Sequence, residues 1–507
     1  MFGKDAAPKE KPVADHATGV GDIVNAGSDG ELGEYDELAV RCPPHTTEKQ
    51  LKARIDYHIL PYIIILYLAA FLDRVNVANA KSFNLLQDLG IDPKDPNSTQ
   101  YNTLLVIFFV PYIILEIPSN IFLKRLSPRL WLSLCCIGFG LVTALQGVAQ
   151  SYGGLLAARF FLGVFECGMF PGCFYLISMW YKRSEAQKRY SLFFSSTSLA
   201  GAFGGLLASA IGKMDGMRGY HGWRWIFILE GSATFLIGIV FLFTFPSFPE
   251  EATWLREDER AYIKARLQAD QGRNAADRKV TFRDVITVMK DYKIWLGGFM
   301  YFGMIVPAYG YAYFSTTILQ TYHFSPIQTQ LRSVAPWASA FGFGMLIAVF
   351  SDWSKHRFLY ALLPIFIAIA GFAILLNVHT NLDLEYAALF LTCMGTYSAM
   401  PVIVCWFNMN LAGHHRRSIG SAWQIGFGNI GGIIATYSFL QHDAPYYRNG
   451  YRIAISFLCF AGASVVAYAA AITWENRKKD KAIRDVGMTD YEKTELGDLN
   501  PDFRYML

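Results

Sequence analysis

Charged residues are scarce in this chain of 507 residues. Asp, Glu, Lys and Arg make up 17% of the sequence and hydrophobic residues 53%, whereas soluble proteins carry about 25% charged residues. The charges concentrate in both tails, one central stretch and a few short loops. Between them lie apolar runs of about 20 residues, which is the length that a helix needs to cross a bilayer. This pattern excludes an ordinary soluble protein.

Several motifs of catalysis and metal binding are also missing. The chain has no G-x-x-x-x-G-K loop for a nucleotide and no G-x-S-x-G or H-E-x-x-H constellation. Seven of the eight cysteines lie inside apolar runs without metal-ligand spacing, which is typical of packing residues. We therefore expect no enzyme activity, no cofactor, no metal and no nucleic-acid partner.

About twelve apolar runs are present, six on either side of the charged central stretch. Backbone groups in lipid must be satisfied within their own segment, so these runs are predicted to be helices. The sequence predicts an all-α membrane protein with twelve transmembrane helices in two pseudo-symmetric halves of six. The predicted parts are a polar tail over 1–55, a first bundle over 56–248, a linker over 249–291, a second bundle over 292–474 and a tail over 475–507.

The orientation follows from the Lys/Arg content of the short loops. Basic residues precede span one and follow spans two, four, eight, ten and twelve, which all lie on one side of a twelve-span protein. Both tails are therefore predicted to be cytoplasmic. The polar first 55 residues lack a short apolar core with a cleavage site, so no cleaved signal peptide is expected. The sequon at Asn97 falls in the first outer loop, where it is either a glycosylation site or a chance match.

An internal repeat relates the two halves. Arg189, Gly201 and the pair Gly204-Gly205 recur at a constant offset of 227 residues as Arg416, Gly428 and the pair Gly431-Gly432. Parallel halves of six helices are an architecture of secondary transporters.

Ionisable residues within the spans are costly and are functional candidates by default. Asp73, Arg74, Glu116, Arg159, Glu166 and Glu230 all belong to the first half. The second half offers neutral groups at membrane depth instead: Asn408, Asn410, Gln424 and Asn429. We infer that the first half handles protons and a charged group, and that the second reads the neutral body of a substrate.

The depths of these residues suggest which of them meet. Asp73 and Arg74 lie about 24 Å along span one, and Arg159 lies about 9 Å below the outer surface on span four, at a comparable height. Glu166 is about 10 Å deeper on the same face as Arg159. An Asp73–Arg159 pair above Glu166 would make a proton relay, or a permanent pair that only holds helices together.

Three other side chains have open or structural interpretations. Arg74 needs a further anion, which a substrate carboxylate would supply in a bidentate pair. Glu116 is expected near the cytoplasmic end of span two, paired with loop arginines. Glu230 has Arg224 as a candidate partner, and Asp352 with Arg357 is expected to latch the cytoplasmic ends of helices.

Span seven contains Pro307, Gly310 and the tyrosines Tyr309, Tyr311 and Tyr313. Proline and glycine can break a helix where it lines a cavity. The tyrosines would then stack on a planar substrate or gate the outer mouth. An interfacial aromatic belt is the alternative.

Several motifs resemble one transporter group. The segment from Leu72 to Ala80 resembles the first-helix motif of the anion:cation symporter branch of the major facilitator superfamily, and the segment from Arg159 to Gly172 resembles its fourth-helix motif. Further matches to the fungal allantoate/nicotinate permease type are the stretches Glu116–Asn120, Trp223–Phe227 and Asn500–Tyr505. The loop after span two departs from the superfamily pattern, because it lacks the acidic residue that the second half keeps as Asp352.

The resemblance implies a role for each candidate. Arg74 would bind the substrate carboxylate, Asp73 and Glu166 would carry protons, and Arg159 would pair with these acids. Gln424 and Asn429 would lie near the substrate, as would the polar side chains predicted for it on spans one and seven: Asn76, Tyr309 and Tyr313.

The leading hypothesis is a monomeric, proton-coupled importer of a small organic monocarboxylate, such as nicotinate, allantoate or a related vitamin or sugar acid, in the plasma membrane. The alternatives are an exporter or vacuolar carrier of the same fold, and a nutrient receptor that binds without transport.

Overall fold

The computed structural model describes residues 42–92, 95, 98–271, 282–354, 356–411, 414–481 and 503–507, and it places no strand among them. The sequon asparagine, Asn97, and most of both predicted tails lie outside these residues. Sixteen α-helices follow one another along the described chain. The first half contains α1 Glu48–Lys81, α2 Leu85–Asp88, α3 Gln100–Leu126, α4 Pro128–Gln146, α5 Tyr152–Glu166, α6 Met169–Trp180, α7 Arg183–Ile211 and α8 Gly222–Thr244. The central linker contains α9 Glu257–Gln271 and α10 Phe282–Met289. The second half contains α11 Tyr292–Gln320, α12 Pro326–Ser354, α13 Arg357–Asn377, α14 Leu382–Met409, α15 His414–Ser438 and α16 Arg448–Lys481.

Twelve long helical crossings build the bundle, with α5 and α6 forming one interrupted crossing. Nine crossings within the described chain are long and apolar enough to span a membrane by length and composition. The other three are α3, α11 and α15, of 27, 29 and 25 residues. The predicted fold class is confirmed. Helix α1 begins at Glu48, earlier than the first predicted bundle, because Thr47 caps it by accepting a hydrogen bond from the Gln50 amide.

The break in the fourth crossing falls immediately after Glu166. A Cβ on Gly168 would lie 2.1 Å from the Ser119 hydroxyl oxygen and 2.9 Å from Trp131 Nε1, so only glycine allows this approach to α3 and α4. Helix α11, by contrast, runs unbroken through Pro307 and Gly310. The break that these two residues could have caused in span seven is therefore absent from this described helix.

The internal repeat appears as matched ion pairs. Arg189 of α7 donates to both carboxylate oxygens of Asp56 near the start of α1, at 2.9 and 2.6 Å. Arg416, its counterpart in α15, pairs with Asp291, the residue that caps α11. Each repeated arginine thus ties the fifth crossing of its half to the first.

The repeated glycines lie where the two halves meet. A Cβ on Gly205 would lie 2.7 Å from Ser333 Oγ of α12, and one on Gly432 would lie 2.4 Å from Phe109 Cε1 of α3. Gly205 and Gly432 occupy equivalent positions in the repeat, and each lets a helix of its own half approach the other half closely.

Hydrogen bonds join the halves at the end of the bundle opposite to residues 48 and 481. The Asn102 side chain of α3 donates to the carbonyls of Thr436 and Phe439 at the end of α15. The Gln330 amide of α12 donates to the Ser82 hydroxyl after α1 at 3.3 Å. This end is therefore sealed by contacts between the halves.

The segment 503–507 binds the opposite end of the second half. The buried Tyr505 accepts a hydrogen bond at its hydroxyl from Lys293 Nζ, 2.7 Å away, and its backbone makes two bonds with the Asn476 side chain. The Met506 carbonyl accepts from Trp406 and Asn410. The segment thereby connects α11, α14 and α16.

Candidate functional site

The site begins with Arg74, which lies on α1 where the two halves face each other. Its side chain is buried, with 5% of its surface exposed. The guanidinium donates from Nε to Glu166 Oε1 at 2.8 Å, and Nη2 reaches the same oxygen. Nη1 donates to the Tyr309 hydroxyl on α11. Arg74 thus connects a carboxylate of its own half to a phenol of the other half.

Aromatic rings surround the same guanidinium. Its central carbon lies 4.9 Å from the ring centre of Phe108, 5.1 Å from that of Tyr112 and 5.9 Å from that of Tyr309. Phe108 and Tyr112 are one turn apart on α3, so they form one face toward Arg74. Cation–π attraction is strongest where the cation is desolvated, which favours keeping this buried charge in place.

The two tyrosines predicted for the site stack on each other. The rings of Tyr309 and Tyr313 are 5.6 Å apart and nearly parallel, at 13°. Tyr309, Tyr311 and Tyr313 are all buried, which excludes the aromatic-belt alternative. The Tyr313 hydroxyl has no hydrogen-bond partner among the described residues, so it is available to a ligand. We call Arg74, Glu166, Tyr309 and Tyr313 the Arg74 site.

Arg159 lies at the predicted height but with a different partner. Its Nη1 donates to the Arg74 backbone carbonyl and its Nε to that of Leu104, both at 3.3 Å. No ion pair joins it to Asp73 within the described chain, so the predicted Asp73–Arg159 pair is wrong. Because Asp73 and Arg74 are successive residues of a helix, their side chains point in directions about 100° apart.

Asp73 points away from the Arg74 site. Both its oxygens are buried without a hydrogen bond in the described chain, and the Thr143 and Thr234 side chains of α4 and α8 lie beside it. The structure therefore places this carboxylate within the first half, behind α1.

Asn76 also lies outside the Arg74 site. Its amide donates to Glu230 Oε2 at 2.6 Å. Arg224, the predicted partner of Glu230, donates instead to the carbonyls of Gly147 and Ala149. Arg224, which the sequence left open as a candidate partner, therefore does not pair with Glu230.

Gln424 and Asn429, the two α15 residues predicted to contact the substrate, face different parts of the protein. Gln424 is fully buried, donates to the Gly297 carbonyl at 3.2 Å and accepts from Asn408 at 3.4 Å. Both ends of its amide are therefore oriented by hydrogen bonds within the second half. Asn429 faces the first half instead, beside Glu116.

Glu116 is the residue whose position the sequence prediction missed. It lies ten residues before the end of α3, about 15 Å inside the helix, so the expected location near the cytoplasmic end was wrong. Its side chain is 3% exposed, and neither oxygen has a hydrogen-bond partner in the described chain. The loop arginine Arg129 donates elsewhere, to the carbonyls of Leu242 and Phe243. The sequence did contain a signal for this position. Glu116 follows Tyr112 by four residues, about one helical turn, so the two side chains share one face of α3.

The predicted latch has the expected partners. Arg357 donates to Asp352 Oδ1 at 2.7 Å and to the Ser351 hydroxyl at 2.6 Å. This pair lies at the ends of α12 and α13, remote from Arg74 along the helices.

The sequence profile of the Major Facilitator Superfamily matches residues 63–436. The chain is 30% identical to the MFS-type transporter cnsO of Penicillium expansum, over 91% of each protein. It is 29% identical to the major facilitator-type transporter hxnP of Emericella nidulans, over 91% of this chain and 93% of that protein.

Solved transporters share the fold at low sequence identity. The proton:xylose symporter XylE, bound to 6-bromo-6-deoxy-D-glucose, aligns with a TM-score of 0.65 at 13% identity, covering 83% of this chain and 96% of XylE. An inward-facing, unoccupied bacterial homolog of the human lysosomal transporter Spinster aligns with a TM-score of 0.62 at 14% identity, covering 81% and 96%.

Proposed function

Because the chain belongs to the Major Facilitator Superfamily, whose members are transporters rather than enzymes, we propose that it carries a small organic anion together with protons. The proposed mechanism is alternating access, in which the six-helix bundles over 56–248 and 292–474 move relative to each other. The first-helix and fourth-helix motifs, which resemble the anion:cation symporter branch, support the choice of an anion.

The observation that carries the proposal is the position of Arg74 between the halves. Its guanidinium is buried and bonded to Glu166 on one side and Tyr309 on the other. A guanidinium matches a carboxylate in a bidentate geometry that no other side chain reproduces. A substrate carboxylate would therefore take the place of Glu166 and remain in contact with Tyr309 of the second half.

Proton coupling follows from the cost of buried charge. When substrate takes Arg74, Glu166 is left without its counterion in a site from which water is excluded. An unpaired ionised carboxylate is expensive there, whereas a protonated one is not. Substrate binding and protonation of Glu166 would therefore favour each other, and release of the proton would return Glu166 to Arg74.

Arg159 and Asp73 have supporting roles in this proposal. Arg159 donates to the Arg74 carbonyl and lies within electrostatic range of Glu166, so it would stabilise Glu166 when that residue is ionised. Asp73, buried without a hydrogen bond in the described chain, would be a second proton carrier. Tyr313 and Asn429 would contact the neutral part of the substrate.

We further propose import across the plasma membrane by a single chain with both termini in the cytoplasm. The excess of Lys and Arg in the loops on the side of residues 48 and 481 supports this orientation. Imported anions would then enter from the side that carries Asn102.

Uptake by reconstituted protein tests the proposal. The full chain in proteoliposomes receives a panel of labelled organic acids under an imposed pH gradient, acidic outside. At least one acid should accumulate, and a protonophore should abolish its accumulation. Arg74→Ala should reduce uptake at least about 100-fold, since a charge-assisted pair is lost, whereas the matched control Arg452→Ala, at an exposed position of α16, should not.

Three results would contradict parts of this proposal. Uptake that survives Arg74→Ala would remove the anion site from Arg74. Accumulation that is insensitive to the pH gradient would exclude proton coupling. Binding without flux would identify a receptor instead of a transporter.

A further inference from the structure

A cavity of the second half lies at the end of the bundle opposite to residues 48 and 481. It holds about 780 Å³ of empty space, part of which is open to solvent, between the ends of α11 and α13 and the starts of α14 and α16. Ile318, one of its lining residues, follows Tyr309 by nine residues, which is about 13 Å along α11. The cavity is therefore separate from the Arg74 site.

The lining of this cavity suits a positive charge. Its aromatic rings belong to Tyr322, Tyr446 and Tyr451, and its one acidic side chain is Glu385, with no Lys or Arg among the described lining residues. The negative faces of aromatic rings attract a cation, and a carboxylate binds a cationic donor through charge-assisted hydrogen bonds. We call this space the Glu385 cavity.

Glu385 retains capacity to accept hydrogen bonds. The Tyr322 hydroxyl is its hydrogen-bonding neighbour, and Tyr451 lies within electrostatic range. No ion pair joins Glu385 to a Lys, Arg or His of the described chain. Arg448 lies 5.6 Å from the centre of the Tyr446 ring but does not line the cavity. An ionised carboxylate has about four lone-pair positions, so one phenol leaves room for further donors.

His379 adds a second acceptor to the lining. Its Nε2 is buried without a hydrogen-bond partner among the described residues, and the centre of its ring lies 4.5 Å from that of Tyr446. A buried polar atom requires a partner from the protein, from water or from a ligand. With its proton on Nδ1, a neutral imidazole accepts a hydrogen bond at Nε2. His379, like Glu385, can therefore receive an N–H group in this cavity.

We propose that the Glu385 cavity binds an alkylammonium ion that carries N–H groups. The ammonium group donates to Glu385 and His379, and the alkyl chain packs against the rings of Tyr446 and Tyr451. An occupant in this position ties the end of α11 to the start of α14. The inference goes beyond the proposed function and does not depend on it, because none of these residues belongs to the Arg74 site.

Equilibrium dialysis of labelled butylammonium against the full chain in detergent tests the proposal. At constant pH and ionic strength, the dissociation constant should be about 1 mM or lower. Two competitors separate the features of the ligand. 1-Butanol has the same alkyl chain without the charge, and tetramethylammonium has the charge without an N–H group. Each should compete at least about 10-fold more weakly than unlabelled butylammonium.

Glu385→Gln should weaken binding of butylammonium at least about 10-fold, because the charged acceptor is lost. Asp383→Asn is the matched control. It removes the same charge from the same first turn of α14, but Asp383 does not line the cavity. Its affinity should remain within about 2-fold of wild type, which separates contact with the ligand from the general effect of an acid at a helix N-terminus.

Tyr446→Leu changes a half-exposed side chain of the lining. It should weaken binding about 3-fold through loss of cation–π attraction, and it provides the readout if size-exclusion chromatography shows that Glu385→Gln is misfolded. Absence of binding to the wild-type protein, equal competition by either analogue, or equal weakening by Glu385→Gln and Asp383→Asn would overturn the proposal.

The same ammonium chemistry occurs in the headgroup of phosphatidylethanolamine. Dialysis against the protein in nanodiscs with and without this lipid separates the two sources. Competition by the lipid would identify a headgroup as the occupant, whereas undiminished binding of butylammonium would identify a soluble amine.

Discussion

The two halves share a fold and a sequence repeat but differ in what they bury. Among the described side chains of its crossings, the first half buries six acidic or basic ones, which are Asp73, Arg74, Glu116, Arg159, Glu166 and Glu230. In the described part of the second half, the buried charges are Lys293 and Arg357, and both lie in the first turns of helices. Away from the ends of its helices, the second half buries side-chain amides and tyrosine hydroxyls instead. The buried charge of the bundle is thus concentrated in the first half, which is the half to which we assign the protons and the anion.

The difference extends to how each half is held together. The second half binds the segment 503–507 across three of its helices, and Arg357 also donates its backbone amide to the Leu507 carbonyl at 2.6 Å. Both halves bury polar side chains that lack hydrogen bonds in the described chain, for example Asp73, Thr143 and Gln146 in the first and Thr317, Thr329 and Thr396 in the second. Unsatisfied buried groups are where protons, water or conformational change are expected.

The largest expected effect comes from neutralising the carboxylate in the Arg74 site. Glu166→Gln should abolish accumulation driven by the pH gradient, by at least about 100-fold, because it removes the group that takes up the proton. Anion binding should persist or tighten, since Arg74 no longer has a competing carboxylate. Uptake and counterflow in proteoliposomes measure the two quantities separately.

The matched control is Asp352→Asn, the same chemical change in the second half. Its pair with Arg357 lies at the helix ends, so the proton dependence of uptake should be unchanged. If Asp352→Asn also uncouples uptake from the gradient, charge handling is not confined to the first half.

The second prediction uses the repeated glycines. Gly432→Ala should reduce transport by about 10-fold, because its Cβ would displace Phe109, whose ring centre lies 5.0 Å from that of Tyr309 in the Arg74 site. Gly342 of α12 has nothing within 4 Å of an added Cβ, so Gly342→Ala serves as the control and should be neutral or slightly stabilising. Equal transport by the two variants would show that the approach at Gly432 does not support the site.

The crossings, the repeat and the lopsided distribution of charge could be predicted from the sequence because they depend on composition and spacing alone. The pairing of side chains could not. The rise per residue along spans one and four placed Arg74 and Arg159 at similar depths in the membrane. The direction in which each side chain points from its helix, however, depends on tertiary packing. Hence Arg74 contacts Glu166, and Asp73 turns toward α4 and α8.

Two other residues show the limits of the sequence for local reasons. Glu116 was expected to pair with loop arginines because its side-chain neighbours could not be read from the sequence; in the structure it lies ten residues before the end of α3 at Leu126 and is buried. Gln424 stays a predicted substrate contact: an amide in a span can serve a ligand or a neighbouring helix, and the structure adds its bonds to Gly297 and Asn408.

The third prediction concerns the segment 503–507. Its deletion should lower the melting temperature by about 5 °C or more, because the bonds to Asn476, Trp406 and Asn410 are lost and polar groups of the second half are exposed. Thermal unfolding of the protein in detergent measures the change. Arg504→Ala is the control and should shift it by less than about 1 °C, since the Arg504–Asp480 pair is exposed. An unchanged melting temperature after the deletion would mean that the segment contributes nothing to the stability of the second half.

The smallest expected effect compares the repeated ion pairs. Asp56 is 31% exposed in its pair with Arg189, whereas Asp291 is 11% exposed in its pair with Arg416. Solvent screens the first pair more, so a double-mutant cycle should give a coupling energy of about 0.5 kcal/mol for Arg189–Asp56 and about 1–2 kcal/mol for Arg416–Asp291. A larger coupling energy for Arg189–Asp56 than for Arg416–Asp291 would mean that burial does not set the strength of these pairs. The difference between the halves in buried charge would then have no counterpart in the repeated ion pairs.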